Sequence, residues 1–135
     1  MKLIIKWQRL TEGRGETCER CALTEKELGK AVEKLGKALS PKGIEVVLEK
    51  SAIPPGVFKN APLESNRIWI DDKALEDWLH GETGRSACCG PCGDSQCRTI
   101  QIGGAVHESI PEPFILKAGL LAAERMLKNA LKEEV

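Results

Sequence analysis

The sequence predicts an α/β domain, a mixed sheet flanked by helices, and three patterns carry that prediction. An apolar run at Lys2 to Arg9, a helix-period stripe and a second apolar run at Ile44 to Ile53 give the β-α-β order that parallel pairing requires. Arg98 to Glu108, with Gly103-Gly104 at its centre, has the form of an antiparallel hairpin closed by a two-residue turn. The last stretch, about Pro113 to Lys132, repeats Leu, Ile and Ala at helical spacing.

In chain order, Lys2 to Arg9 has a near-continuous apolar centre (Leu3, Ile4, Ile5, Trp7), which predicts a central strand buried on both faces. Thr11 to Glu16 is a Gly-containing turn. A helix follows to about Leu39, with Leu28, Val32, Leu35 and Leu39 on one side and Lys and Glu between them. Its start has two candidates: Thr17, or Thr24, which has capping-box spacing to Glu27. Ser40-Pro41-Lys42-Gly43 ends it. Ile44 to Ile53 is the second strand, closed by Pro54-Pro55-Gly56, and Asn66 to Asp71 is a short third one. Lys73 to His80 reads as a short helix or turn with Leu75, Trp78 and Leu79 on one side. From about 81 to 97 the sequence is nearly all Gly, Ser, Cys, Thr and charge, a Cys-rich loop insertion before the C-terminal hairpin and helix. The helix stripe is Ile115, Leu116, Leu120, Ala123, Leu127 and Leu131.

One domain spanning 1–135 accommodates this plan, since 135 residues can bury a core without disulfide staples. Lys plus Arg equals Asp plus Glu at 20 each, and no basic stripe breaks the balance, so nothing points to nucleic acid or an anionic membrane. The apolar part of the opening, Leu3 to Ile5, is too short for a secretory core or a membrane span, and a cytoplasmic protein is expected. Thiols there stay reduced, so its six cysteines call for a chemical explanation, either metal ligation or redox cycling.

Cys18-Glu-Arg-Cys21 follows the first strand and meets the first helix, where unpaired N–H groups and the helix dipole favour an anion. The thiolate is the reactive form. A thiol with a pKa of ~8.5 is only roughly 3% ionised at pH 7, and lowering it to ~7 ionises about half. Arg14 and Arg20 could add to the helix effect. With a start at Thr17, Cys21 falls in line with the buried stripe and Cys18 in the open first turn, which suits an attacking Cys18 and a resolving Cys21. With a start at Thr24, both cysteines lie in a loop better suited to metal.

Cys89-Gly-Pro-Cys92 spells the thioredoxin tetrapeptide, but it follows Gly81 to Ser86 and precedes Gly-Asp-Ser-Gln, with neither a buried strand before it nor a helix stripe after it. Cys89 and Cys92, with Cys97 and a fourth ligand from vicinal Cys88, His80 or a thiol of the first cluster, form a candidate metal site for zinc, an iron-sulfur cluster or a soft thiophilic ion. Alternatively, this cluster exchanges electrons with Cys18 and Cys21, or closes a structural disulfide.

The element order with Cys18-Glu-Arg-Cys21 resembles the thioredoxin-like superfamily. Nearly the whole chain is similar to the DUF2703 family, on Cys18-Glu-Arg-Cys21, Ser65-Asn-Arg-Ile-Trp-Ile and Cys88-Cys-Gly-Pro-Cys-Gly followed by Cys97-Arg-Thr. The resemblance implies a thioredoxin-like mixed sheet and a thiol-based role, without a substrate. One departure stands out. Thioredoxins place a cis-proline before the third core strand, where this chain has Ser65-Asn66, with Pro62 further upstream.

The reading is a thiol-disulfide oxidoreductase-like protein with a redox-active dithiol at Cys18 and Cys21, and a relay or metal site at Cys88, Cys89, Cys92 and Cys97. Its partner would be a protein or small-molecule disulfide or thiol. The alternative is a non-enzymatic metal or metalloid binding protein using both clusters. His107, the Asp71-Asp72 pair and the tryptophans read as structural.

Overall fold

A computed structural model describes residues 1–10, 19–53, 67–87, 96–107 and 109–133. The first strand, β1 (Lys2–Leu10), pairs in parallel with β2 (Glu45–Ile53) over nine residue pairs, from Lys2↔Glu45 to Leu10↔Ile53. On its other side β1 pairs antiparallel with β3 (Arg67–Ile70), and β3 pairs with the two-residue β4 (Lys73–Ala74). The sheet order is β2-β1-β3-β4, with β1 central as its apolar sequence predicts.

The two faces of β1 differ, which corrects the expectation of burial on both. Leu3, Ile5 and Trp7 are fully buried, whereas Ile4 and Gln8 are half-buried and Lys6 is exposed. Alternation of this kind marks a strand whose core lies on one side. By register, Val46, Leu48, Ile68 and Ile70 share that side.

Two long helices supply the rest of the core. Helix α1 (Glu19–Leu39) buries Thr24, Leu28, Ala31, Leu35 and Leu39, a three-four spacing that keeps one stripe against the sheet. The short α2 (Leu75–Trp78) buries Leu75 and Trp78, as the apolar spacing from Lys73 to His80 predicts. Helix α3 (Glu112–Glu133) buries Ile115, Ala118, Ala122 and Ala123 in the same cluster. Two members of its predicted stripe, Leu120 and Leu131, are exposed instead. Small residues take their place because α3 lies close to α1: a Cβ added at Gly119 would sit 2.5 Å from Leu35 Cδ1.

Residues 81–97 are not one loop. β5 (Glu82–Ala87) and β6 (Gln96–Ile102) pair antiparallel from Glu82↔Gln101 to Ala87↔Gln96, and β7 (Ala105–His107) continues from β6. The expected hairpin at Gly103-Gly104 forms, both glycines at positive φ (60° and 83°), but it joins β5 in a separate three-stranded sheet rather than completing the first. Composition hid β5, because Glu-Thr-Gly-Arg-Ser-Ala lacks the large β-branched and aromatic residues that announce a strand.

Asp71 and Asp72 make the two-residue turn from β3 to β4, at φ 51° and 63°, a conformation Asp tolerates better than most residues. Arg125 holds Asp71 (Nη2 to Oδ2, 2.8 Å) and Lys6 holds Asp72 (Nζ to Oδ1, 3.3 Å). Their role is structural.

Candidate functional site

The C-terminal end of β1 and the start of α1 meet at one end of the sheet, and sequence reasoning places its first thiol pair there. Cys21 is the third residue of α1, and Cys18 directly precedes the helix in sequence but lies outside the described residues. The helix therefore does not begin at Thr24. A helix of 21 residues leaves its first N–H groups without intrahelical partners and concentrates partial positive charge at this end.

Thr24, read from sequence as a cap, has a different task. It is fully buried, and its hydroxyl accepts the backbone N–H of Ile110 at 3.1 Å. This bond ties the segment between β7 and α3 to α1, one turn beyond Cys21. By helical period, position 21 lies in line with Thr24 and Leu28.

Arg9 is the residue that sequence reasoning missed. It shares the helix-facing side of β1 with Trp7, two positions on, and its guanidinium carbon lies 4.7 Å from the Trp7 ring centroid. Its Nη1 donates to the Ser51 carbonyl at 3.4 Å, whereas its Nε is buried and makes no hydrogen bond. Lys50, which pairs with Trp7 in register, donates to Glu25 Oε2 of α1 at 3.4 Å. The Arg9 guanidinium itself reaches back along β1, over the Trp7 ring and to Ser51, the register partner of Gln8. The one available signal was a charged residue in phase with the buried Leu3, Ile5 and Trp7.

For the second cluster, the structure gives the frame. Cys97 lies in β6, paired in register with Ser86, while Cys88, Cys89 and Cys92 belong to the eight-residue connection 88–95, outside the described residues. Arg14 is also outside them, as are Ser65, Asn66 and Pro62. His80 is exposed at φ 55° in the turn after α2. His107 packs edge-on against Phe114, with ring centroids 5.0 Å apart, which accounts for it without a ligand. Among the described residues, no group of three or more His, Cys, Asp or Glu residues is placed to hold a metal ion. No described helix is long and apolar enough to cross a membrane.

Fold and sequence together define a small α/β domain with a mixed sheet and a C-x-x-C pair at the head of its first long helix. The chain belongs to the DUF2703 family, a domain of unknown function whose model matches residues 3–119. It is similar to an "Uncharacterized protein" of Archaeoglobus fulgidus, 41% identical over 115 residues that cover 85% of this chain and 83% of the relative. No solved structure matches it.

Proposed function

We propose that this protein is a thiol-disulfide oxidoreductase of thioredoxin-like plan, working in a reducing, cytoplasmic setting on protein or small-molecule disulfides. The observation that carries the reading is the position of the Cys18-Glu-Arg-Cys21 sequence between the central strand and a long helix. The order β2-β1-β3-β4, with β1 and β2 parallel and β3 antiparallel to its neighbours, supports the thioredoxin-like plan.

In this reading the Cys18 thiolate attacks a substrate disulfide, forming a mixed disulfide and expelling one substrate thiolate. Cys21 then attacks Cys18 Sγ, closing the protein disulfide and releasing the second substrate thiolate. The substrate gains two electrons and the dithiol loses them. An external thiol reductant must restore it. Helix α1 favours the thiolate at its N-terminus.

The second cluster serves as a relay to this dithiol or as a metal site. The metal reading draws on the pairing of β5 and β6 up to Ala87↔Gln96, which holds the two ends of the 88–95 connection opposite each other. Four thiols within ten residues, Cys88, Cys89, Cys92 and Cys97, suit zinc or an iron-sulfur cluster.

The test is reduction of insulin disulfides by the full chain with a thiol reductant. Wild-type protein accelerates the reaction, Cys18→Ser abolishes the acceleration, and Cys21→Ser accumulates mixed disulfide. Undiminished activity in Cys18→Ser would refute the assignment. Metal analysis and thiol counting on anaerobically purified protein separate relay from metal site: a stoichiometric ion lost in Cys89→Ser and Cys92→Ser marks the metal site.

A further inference from the structure

We infer that the open edge of β2 is a dimer interface, where β2 of a second copy of this chain pairs antiparallel and joins the two four-stranded sheets into one. Among the described residues β2 pairs only with β1, and it does so over nine consecutive residue pairs with no bulge and no proline. The Glu45 N–H donates to the Met1 carbonyl at 2.8 Å, so the odd-numbered residues of β2 turn their backbone groups toward β1. Val46, Leu48 and Lys50 therefore turn theirs outward. Native sheets usually shorten, bend or cover such an edge, because a row of outward N–H and C=O groups is a template for another strand. On the core side of the same edge Val46 and Leu48 stay only half-buried, although their register partners Leu3 and Ile5 are fully buried.

A second feature lies on α1. Glu25 bonds Lys50 of β2, and Gly36 lines a cleft with Ile44, Glu45 and Val46, so the flank of α1 beside the β2 edge runs through Glu25, Gly29, Val32 and Gly36 at helical spacing. A Cβ added at Gly29 or Gly36 would meet nothing within 4 Å. Packing inside one copy therefore explains neither glycine, and both weaken the helix. Strands paired about 4.8 Å apart carry their covering helices close together, at a distance set by the side chains between them. Glycine permits that approach, and Val32, half-buried beside the two glycines, gains a partner.

Charge sets the register. A two-fold axis along the sheet normal keeps the helix sides of both copies together, so side chains on one face meet across the edge. Centred on Val47, it opposes Glu45 to Glu49; centred on Glu49 or Lys50, it opposes that residue to its own copy. Centres nearer either end shorten the pairing. Centred on Leu48, it opposes Leu48 to itself, Val46 to Lys50, Val47 to Glu49 and Glu45 to Ser51, with no like charges opposed.

The test is the mass of the full chain, reduced, by sedimentation equilibrium across a range of concentration, with twice the chain mass expected. Gly29→Lys should be monomeric at the same concentrations and keep the wild-type helix content by circular dichroism, since lysine is the better helix former and stands between Glu25 and Glu33 at four-residue spacing. Leu48→Lys, which sets two ammonium groups opposite each other at the axis, should be monomeric too. Hydrogen exchange identifies the surface. In the wild-type dimer the amides of Val46, Leu48 and Lys50 are protected, and in Gly29→Lys they exchange freely while those of Val47 and Glu49, which face β1, stay protected. A monomeric wild-type chain, a dimer that survives either substitution, or a dimer whose Val46, Leu48 and Lys50 amides exchange as fast as in Gly29→Lys would each overturn the inference.

Discussion

Replacing Thr24 by valine keeps the shape of a fully buried side chain and removes a single acceptor, the oxygen that receives the Ile110 N–H at 3.1 Å. The amide is left buried without a partner, at a cost of about 1–3 kcal/mol, of which the extra methyl recovers a part. A net loss of about 1.5 kcal/mol is expected. With a urea m-value of about 1.5 kcal/mol/M, the unfolding midpoint falls by about 1 M. Thr24→Ser makes the opposite change, keeping the oxygen and deleting one methyl, at about 0.8 kcal/mol plus a small cavity term. The order wild type, Ser, Val is therefore expected, measured by urea titration of the reduced protein. Hydrogen exchange supplies the local readout, because the Ile110 amide should lose protection in Thr24→Val while amides in β1 keep theirs. A valine variant as stable as wild type, or more stable than the serine variant, would refute the reasoning.

Two further outcomes follow from packing and charge. Gly119→Ala gains about 1 kcal/mol of helix propensity, yet its Cβ would meet the fully buried Leu35 methyls at 2.5 and 2.9 Å, and overpacking of about 1–3 kcal/mol should win. Thermal unfolding should shift down in Gly119→Ala and recover when Leu35→Val is added; a raised midpoint in the single variant would show that α1 and α3 can move apart freely. Lys34 has its pKa raised above 10.5, first by its hydrogen bond to Glu112 and then by the carboxylate charge. A raised ammonium pKa stabilises the fold below the unfolded value and loses that contribution as pH rises through the folded one. The difference in urea midpoint between wild type and Glu112→Gln should thus be present at neutral pH and shrink above 10.5; a gap that persists at higher pH would point to another cause.

Elements with strong periodicity were legible in the sequence. β1, β2 and α1 each announce themselves by spacing, and Gly103-Gly104 marks its turn because few other residues adopt two successive positive φ angles. What failed was anything decided by a distant partner. A run such as Leu3-Ile4-Ile5 looks the same whether one face or both are covered, and only the half-exposure of Ile4 shows which. β5 draws its structure from pairing with β6 rather than from its own residues. Thr24 matched a capping pattern but lies inside the helix, since the start of α1 is set upstream. At the candidate site the cysteines were visible by type and spacing. Arg9 was not, because one arginine at a strand end has no distinguishing neighbour in sequence; its contacts with Trp7 and Ser51 are set by the fold.

The bond between Thr24 and Ile110 joins residues 86 positions apart. β1, α1 and β2 can assemble from neighbouring segments of chain, whereas this contact must bring together two segments far apart in the chain. Closing so long a loop has an entropic cost that local contacts avoid, and such contacts come late on a folding path. The head of α1 would be among the last parts of the molecule to gain its final rigidity. A nascent chain would then carry its cysteines for some time beside an unfinished helix terminus, less able to hold a thiolate than in the completed fold.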